Sequence, residues 1–230
     1  MIPLRDNIPS KKIPYVTYSL IGINAALFLL EIFLRPYLGG FFNYFGILPI
    51  RYSVPHIREQ FTLIEQIIPF ISSMFLHGGL LHIIGNMWIL YIFGDNVEDY
   101  LGHAKFLIFY LVCGISAGIF HLFTNFFSQV PTIGASGAIA GVMGAYFLLY
   151  PNARVLVLLP IFFFIEILEI PAYVFLGFWF FIQFFNGTLS LGSSSLYGGI
   201  AWWAHIGGFL AGLYIISLVR KYKSRFLRRY

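Results

Sequence analysis

Charge is scarce in this chain. Asp, Glu, Lys and Arg make up 10% of its 230 residues, while 59% are hydrophobic. Together with a mean hydropathy of +0.83, this excludes a soluble globular domain. Cysteine is nearly missing as well. Cys113 stands alone in an apolar stretch, which excludes an intramolecular disulfide and any cysteine metal site. The opening Met1-Ile2-Pro3-Leu4-Arg5 lacks the charged, apolar, then small-residue order of a cleaved signal, so the first long apolar run, from Tyr15, is expected to remain as an anchor. No metal and no cofactor are expected.

What the chain has instead is apolar runs of about 20 residues, the length that crosses a bilayer. They predict spans at Tyr15 to Leu34, Gly78 to Phe93, Phe106 to Phe126, Ser136 to Tyr150, about Ile170 to Phe185, and about Gly199 to Val219. Between the fourth and fifth, Val155 to Phe164 is interrupted by Pro160 and followed by Glu166 and Glu169, so it reads as an interfacial or half-buried extended segment. The fold class expected is an all-α membrane protein, a bundle of six transmembrane helices. Residues 1–14 form a cytoplasmic N-terminal segment, 15–219 the membrane domain and 220–230 a basic cytoplasmic tail.

The net charge of +5 gathers at the ends. Arg5, Lys11 and Lys12 precede the first span, and Arg220, Lys221, Lys223, Arg225, Arg228 and Arg229 follow the last. By the positive-inside bias both termini face the cytoplasm of a multi-pass protein, with the cell membrane as the expected location. The same clustering marks a membrane anchor rather than a nucleic-acid surface, so the expected partner is the lipid bilayer and no nucleic acid. The Pro36 to Leu76 loop is too long for a plain connector. Ile57, Phe61, Ile64 and Ile68 fall at helical spacing opposite Arg58, Glu59 and Glu65, which predicts an amphipathic helix resting on the outer leaflet or lying in the loop.

Polar side chains in hydrocarbon need a reason. Here they gather in three places: His82 and Asn86, four apart on one helix face; Ser136 within Gly134-Ala135-Ser136-Gly137; and His205 within Ala204-His205, before Gly208 and Gly212. With both termini inside, the second, fourth and sixth spans run from outside to inside. His82, Ser136 and His205 each stand near the start of such a span, so they share one depth. Gly137 and Gly141, and Gly208 and Gly212, are one turn apart, which lets those two helices approach backbone to backbone and brings Ser136 to His205. A serine against a histidine suggests a nucleophile and its general base. The helix start at Ser136 offers free N–H groups to a developing oxyanion, and His82 and Asn86 add donors. No acid stands near His205, so a dyad is expected rather than a triad.

These motifs resemble the rhomboid family of intramembrane serine proteases, and the likeness covers essentially every span. The family's glycine-any-serine-glycine motif stands as Gly134-Ala135-Ser136-Gly137, its alanine-histidine motif as Ala204-His205, and its second-span histidine and asparagine as His82 and Asn86. The resemblance implies a six-helix bundle of rhomboid type with a long, partly membrane-associated loop between helices 1 and 2. It also implies an endopeptidase that cleaves single-span membrane proteins, with Ser136 as nucleophile, His205 as base and then acid, and His82, Asn86 and the Ser136 backbone N–H around the oxyanion. Two departures stand out. Ala140 occupies the position where some relatives carry an aromatic ring against the catalytic imidazole, and the first loop lacks a tryptophan-arginine pair, although it holds Arg51-Tyr52.

Each residue also has a plainer reading. Serine at a helix start is a common cap. His82 and Asn86 alone would be interhelical hydrogen bonds, and His77 lines the water entrance or, as the preferred reading, marks the membrane edge. Glu31, Glu166 and Glu169 would suit ion coupling in a transporter, but they do not converge on one depth and no inverted repeat is visible. A rhomboid-like protein that binds clients without cutting them would be favoured by loss of Ser136 or His205, and both are present.

Overall fold

The computed structural model describes residues 1–161, 164–190 and 200–227. The expected start of the last helix at Gly199, and Arg228 and Arg229, lie outside them. Among the described residues, five helices are long and apolar enough to cross a membrane: α1 (Tyr15–Phe33), α2 (Leu80–Leu101), α3 (His103–Thr124), α5 (Ala172–Ser190) and α6 (Trp202–Leu227). Between α3 and α5 stands α4 (Ser136–Leu149), whose 14 residues reach only about 21 Å at the usual helical rise. Its residues 137–146 are all buried, so α4 is the axis around which the longer helices pack.

Local chemistry fixes the ends. α1 stops at Leu34, where Arg35-Pro36 cannot continue it. α2 runs to Leu101, two turns beyond the expected Phe93, and only Gly102, at φ +81°, separates it from α3. That left-handed conformation suits glycine. α6 does not end at Val219 but continues through the basic residues to Leu227. The Glu98 carboxylate accepts from Val16 N (2.9 Å), Thr17 N (2.8 Å) and Thr17 Oγ1 (2.7 Å), so an anion sits at the positive start of α1 and ties it to α2.

The all-α expectation is corrected to a mostly helical chain with one three-stranded sheet. β1 (Ile2–Asp6) pairs antiparallel with β2 (Arg154–Ile161), which pairs antiparallel with β3 (Phe164–Pro171). The segment expected to be extended at Val155 to Phe164 is therefore half of a hairpin, and the first residues of the chain form its third strand. Val155 and Val157 are buried, while β3 is exposed along most of its length. The sheet is held to the helices by Trp88 Nε1 donating to Pro3 O (2.6 Å), Asn96 Nδ2 to Ile8 O (3.1 Å) and the Tyr146 hydroxyl to the Asp6 carboxylate. Burial pushes Asp6 up to about 6, against the opposing pull of the Tyr146 hydrogen bond.

The first loop is also rearranged relative to expectation. The single amphipathic helix over Ile57 to Ile68 is broken: Pro55–Arg58 and Leu63–Ile67 are separate turns, because Thr62 and Glu65 form a capping box that starts a new helix. Arg51, 1% exposed, knits the loop together. Its guanidinium donates to Tyr44 O (3.1 Å), Glu65 O (3.3 Å) and Asn43 O, and lies 4.0 Å from the Phe61 ring centre.

Candidate active site

Ser136 is placed by the loop that precedes it. Ile47 and Thr132 exchange backbone hydrogen bonds (3.0 and 2.8 Å), and Gly134 N donates to Ser73 O (2.8 Å), so the chain enters α4 clamped against the first loop. Gly134 holds φ +121°. A side chain there would be strained, and its Cβ would lie 2.7 Å from His82 Nε2. Ser136 is the first helical residue rather than the cap, which is Ala135, and no side chain caps this helix. The plain capping reading of Ser136 thus fails, and its hydroxyl is free for another partner.

That partner is His205. His205 Nε2 and Ser136 Oγ are 2.8 Å apart. The approach depends on glycine: a Cβ on Gly208 would lie 2.0 Å from Gly137 O, and one on Gly212 2.0 Å from Gly141 O. α4 and α6 therefore touch through their backbones. A Cβ on Gly137 would meet Ala117 at 2.6 Å and one on Gly141 would meet Cys113 at 2.4 Å, so α3 closes in equally tightly. Beside Ser136 a cavity of about 20 Å³ opens among Ser73, Ile133, Gly134 and Ala204, room for a single water, which needs about 10–15 Å³ by this measure.

His82 and Asn86 reach the same place from α2. Both lie against Gly134, the residue two before Ser136, since a Cβ there would stand 2.7 Å from His82 Nε2 and 3.6 Å from Asn86 Nδ2. Gly78 N donates to His82 Nδ1 (3.4 Å). A neutral His82 with an accepting Nδ1 carries its proton on Nε2, directed at the Ser136 loop. Asn86 Nδ2 lies 3.0 Å from His77 Nε2. All four polar residues singled out in the sequence thus meet at the start of α4.

Sequence reasoning missed three sets of contacts. His77 is 1% exposed, its backbone N–H donating to the Glu31 carboxylate (3.1 and 3.3 Å) while its ring meets Asn86. Gln183, on α5, places Oε1 2.7 Å from His205 Nδ1. Trp179, one turn before it, lays its ring 5.8 Å from the imidazole at 33°. With Ala140 on α4, an aromatic from α5 flanks the histidine instead. A lone amide in the run from Phe178 to Phe185 was the available signal for Gln183.

An apolar helical bundle with a serine and a histidine in hydrogen-bond contact near one end, ringed by donors, defines an integral membrane protein with a polar site inside its helices. Residues 64–222 match the Rhomboid domain. The chain belongs to the rhomboid family. It is 26% identical over 223 residues to Rhomboid protein 1, mitochondrial, of Saccharomyces cerevisiae, covering 93% of this chain and 57% of that protein. It is 37% identical over 75 residues to RHOMBOID-like protein 6, mitochondrial, of Arabidopsis thaliana (33% and 24%), and 29% identical over 161 residues to the Presenilin-associated rhomboid-like protein, mitochondrial, of Bos taurus (65% and 37%). In each case the aligned region is under two thirds of the relative's length.

Proposed function

We propose that the chain is an intramembrane serine endopeptidase that cleaves single-span membrane proteins in or near their transmembrane segment through a Ser136–His205 dyad. The observation that carries the reading is the 2.8 Å contact between His205 Nε2 and Ser136 Oγ at the first turn of α4. Ser136 Oγ attacks the peptide carbonyl carbon as its proton passes to Nε2. The carbonyl oxygen becomes an oxyanion facing His82, Asn86 and the unpaired N–H groups of the first α4 turn, including that of Ser136. His205 returns the proton to the leaving nitrogen as the C–N bond breaks, then takes one from the water that attacks the acyl carbon and passes it to Ser136 Oγ as the ester bond breaks.

In the same reading all six of α1 to α6 cross the membrane, α4 as a short span sheathed by the others, which puts both termini on one side. The basic ends favour the cytoplasmic face as that side, and the reading takes the membrane to be the cell membrane. The first loop lies partly in the opposite leaflet, a placement supported by the exposed Leu63, Ile64 and Ile67.

The test is reaction of the detergent-solubilised protein with a fluorophosphonate, with mapping of the modified residue, alongside cleavage of a reconstituted single-span substrate. Label on Ser136, lost together with cleavage in Ser136→Ala and His205→Ala variants that remain folded, is the expected result. Full cleavage by either variant, or label at another residue, overturns the reading.

A further inference from the structure

We propose that Gln183 is the positioning residue for His205, the third member of a Ser136–His205–Gln183 relay in which a neutral amide does what a carboxylate does in a triad. The inference rests on the dyad proposed above. α5 and α6 pack so that Gln183, 5% exposed, stands behind the imidazole. Its Nε2 lies 3.3 Å from Trp179 O and its Oε1 2.7 Å from His205 Nδ1.

These two contacts settle one another. A backbone carbonyl only accepts, so the amide nitrogen must face Trp179 O and the amide oxygen must face His205. Oε1 only accepts, so Nδ1 must carry the proton. A neutral imidazole with its proton on Nδ1 has its lone pair on Nε2, the atom that must take the proton of Ser136 Oγ. Without Gln183 either tautomer is open, and the ring is free to turn about its side-chain bond. Trp179, on the same face of α5 one turn away, limits that rotation by flanking the ring.

A charged partner is unnecessary here. An uncompensated carboxylate inside an apolar bundle is expensive to bury, whereas an amide fixes the tautomer without bringing a charge. The imidazolium that forms during turnover still gains a charge-assisted hydrogen bond from Nδ1–H to Oε1.

The test compares Gln183→Met, which keeps the length and removes the acceptor, with Gln183→Glu, whose carboxyl keeps an acceptor for Nδ1 and, when protonated, a donor for Trp179 O. The full chain in detergent is treated with a fluorophosphonate, and the maximal inactivation rate and the half-saturating concentration are measured separately, together with the melting temperature. Gln183→Met is expected to lower the maximal rate by about 10-fold to 1000-fold with half-saturation and melting little changed, and Gln183→Glu to recover most of the rate. A Met variant reacting at the wild-type rate, or a Glu variant no faster than Met, overturns the proposal. Ser136→Ala, run alongside, separates the two inferences: if it still takes label, the dyad itself fails, and if it does not, a negative result at Gln183 counts against the relay alone.

Discussion

A single methyl group at Gly212 should disable a site two helical turns away. The Cβ of Gly212→Ala would lie 2.0 Å from Gly141 O, whereas a carbon and a carbonyl oxygen rest at about 3.3 Å. The obstacle is backbone in the middle of α4, against which Cys113 of α3 also packs closely, so it cannot yield as a flexible side chain would. α6 must retreat by about 1 Å. His205 rides on α6, and its 2.8 Å contact with Ser136 would open to about 3.8 Å, beyond hydrogen-bond reach. A misplacement of that size lowers reactivity by about 100-fold, and the overpacking destabilises by about 1–3 kcal/mol. The assay is the rate of fluorophosphonate labelling in detergent together with thermal unfolding. Gly22→Ala is the control, because nothing lies within 4 Å of its Cβ. A Gly212→Ala protein that labels and melts like the control would refute the backbone contact between α4 and α6 as the device that sets the site.

Asn86→Ala should slow turnover of a single-span substrate by about 10-fold to 1000-fold through loss of an oxyanion donor, and an unchanged rate would remove Asn86 from the site. Asp6 gives a pH dependence at the other end of the molecule. Its folded value is raised from 3.8 to about 6, so between those values the folded chain holds more protons than the unfolded one, and stability falls as pH rises through that window and is level above it. Because Asp6 is partly exposed, the expected loss is discounted to about 1 kcal/mol. Asp6→Asn should flatten this component in melting curves taken at pH 4.5 and 7, and a variant with the wild-type pH profile would contradict the assignment.

The five long apolar helices were legible because bilayer crossing leaves a one-dimensional signature, an apolar run of sufficient length. The meeting of His82, Asn86, Ser136 and His205 followed from counting those runs, since each residue stands near the start of its helix. The sheet was not legible. Val155 to Ile170 carries Pro160, Glu166 and Glu169 in an apolar setting, and one of the two partners of β2 is the distant Ile2 to Asp6, which no local pattern announces. The broken loop helix was announced, by Thr62 and Glu65 at capping-box spacing, but the apolar periodicity across them pointed the other way. What holds His205 lay in the lone amide Gln183, whose partner is 22 residues away and on another helix.

The pairing of β1 with β2 also sets a timetable for assembly. Ile2 to Asp6 find their partners at Val155 to Leu158, about 150 residues later, and at about 5–20 residues per second of synthesis the first strand waits roughly 10–30 seconds for them. During that interval α1 to α4 emerge while the residues ahead of α1 have no sheet to join. This edge strand of the sheet is thus made well before the strand it pairs with.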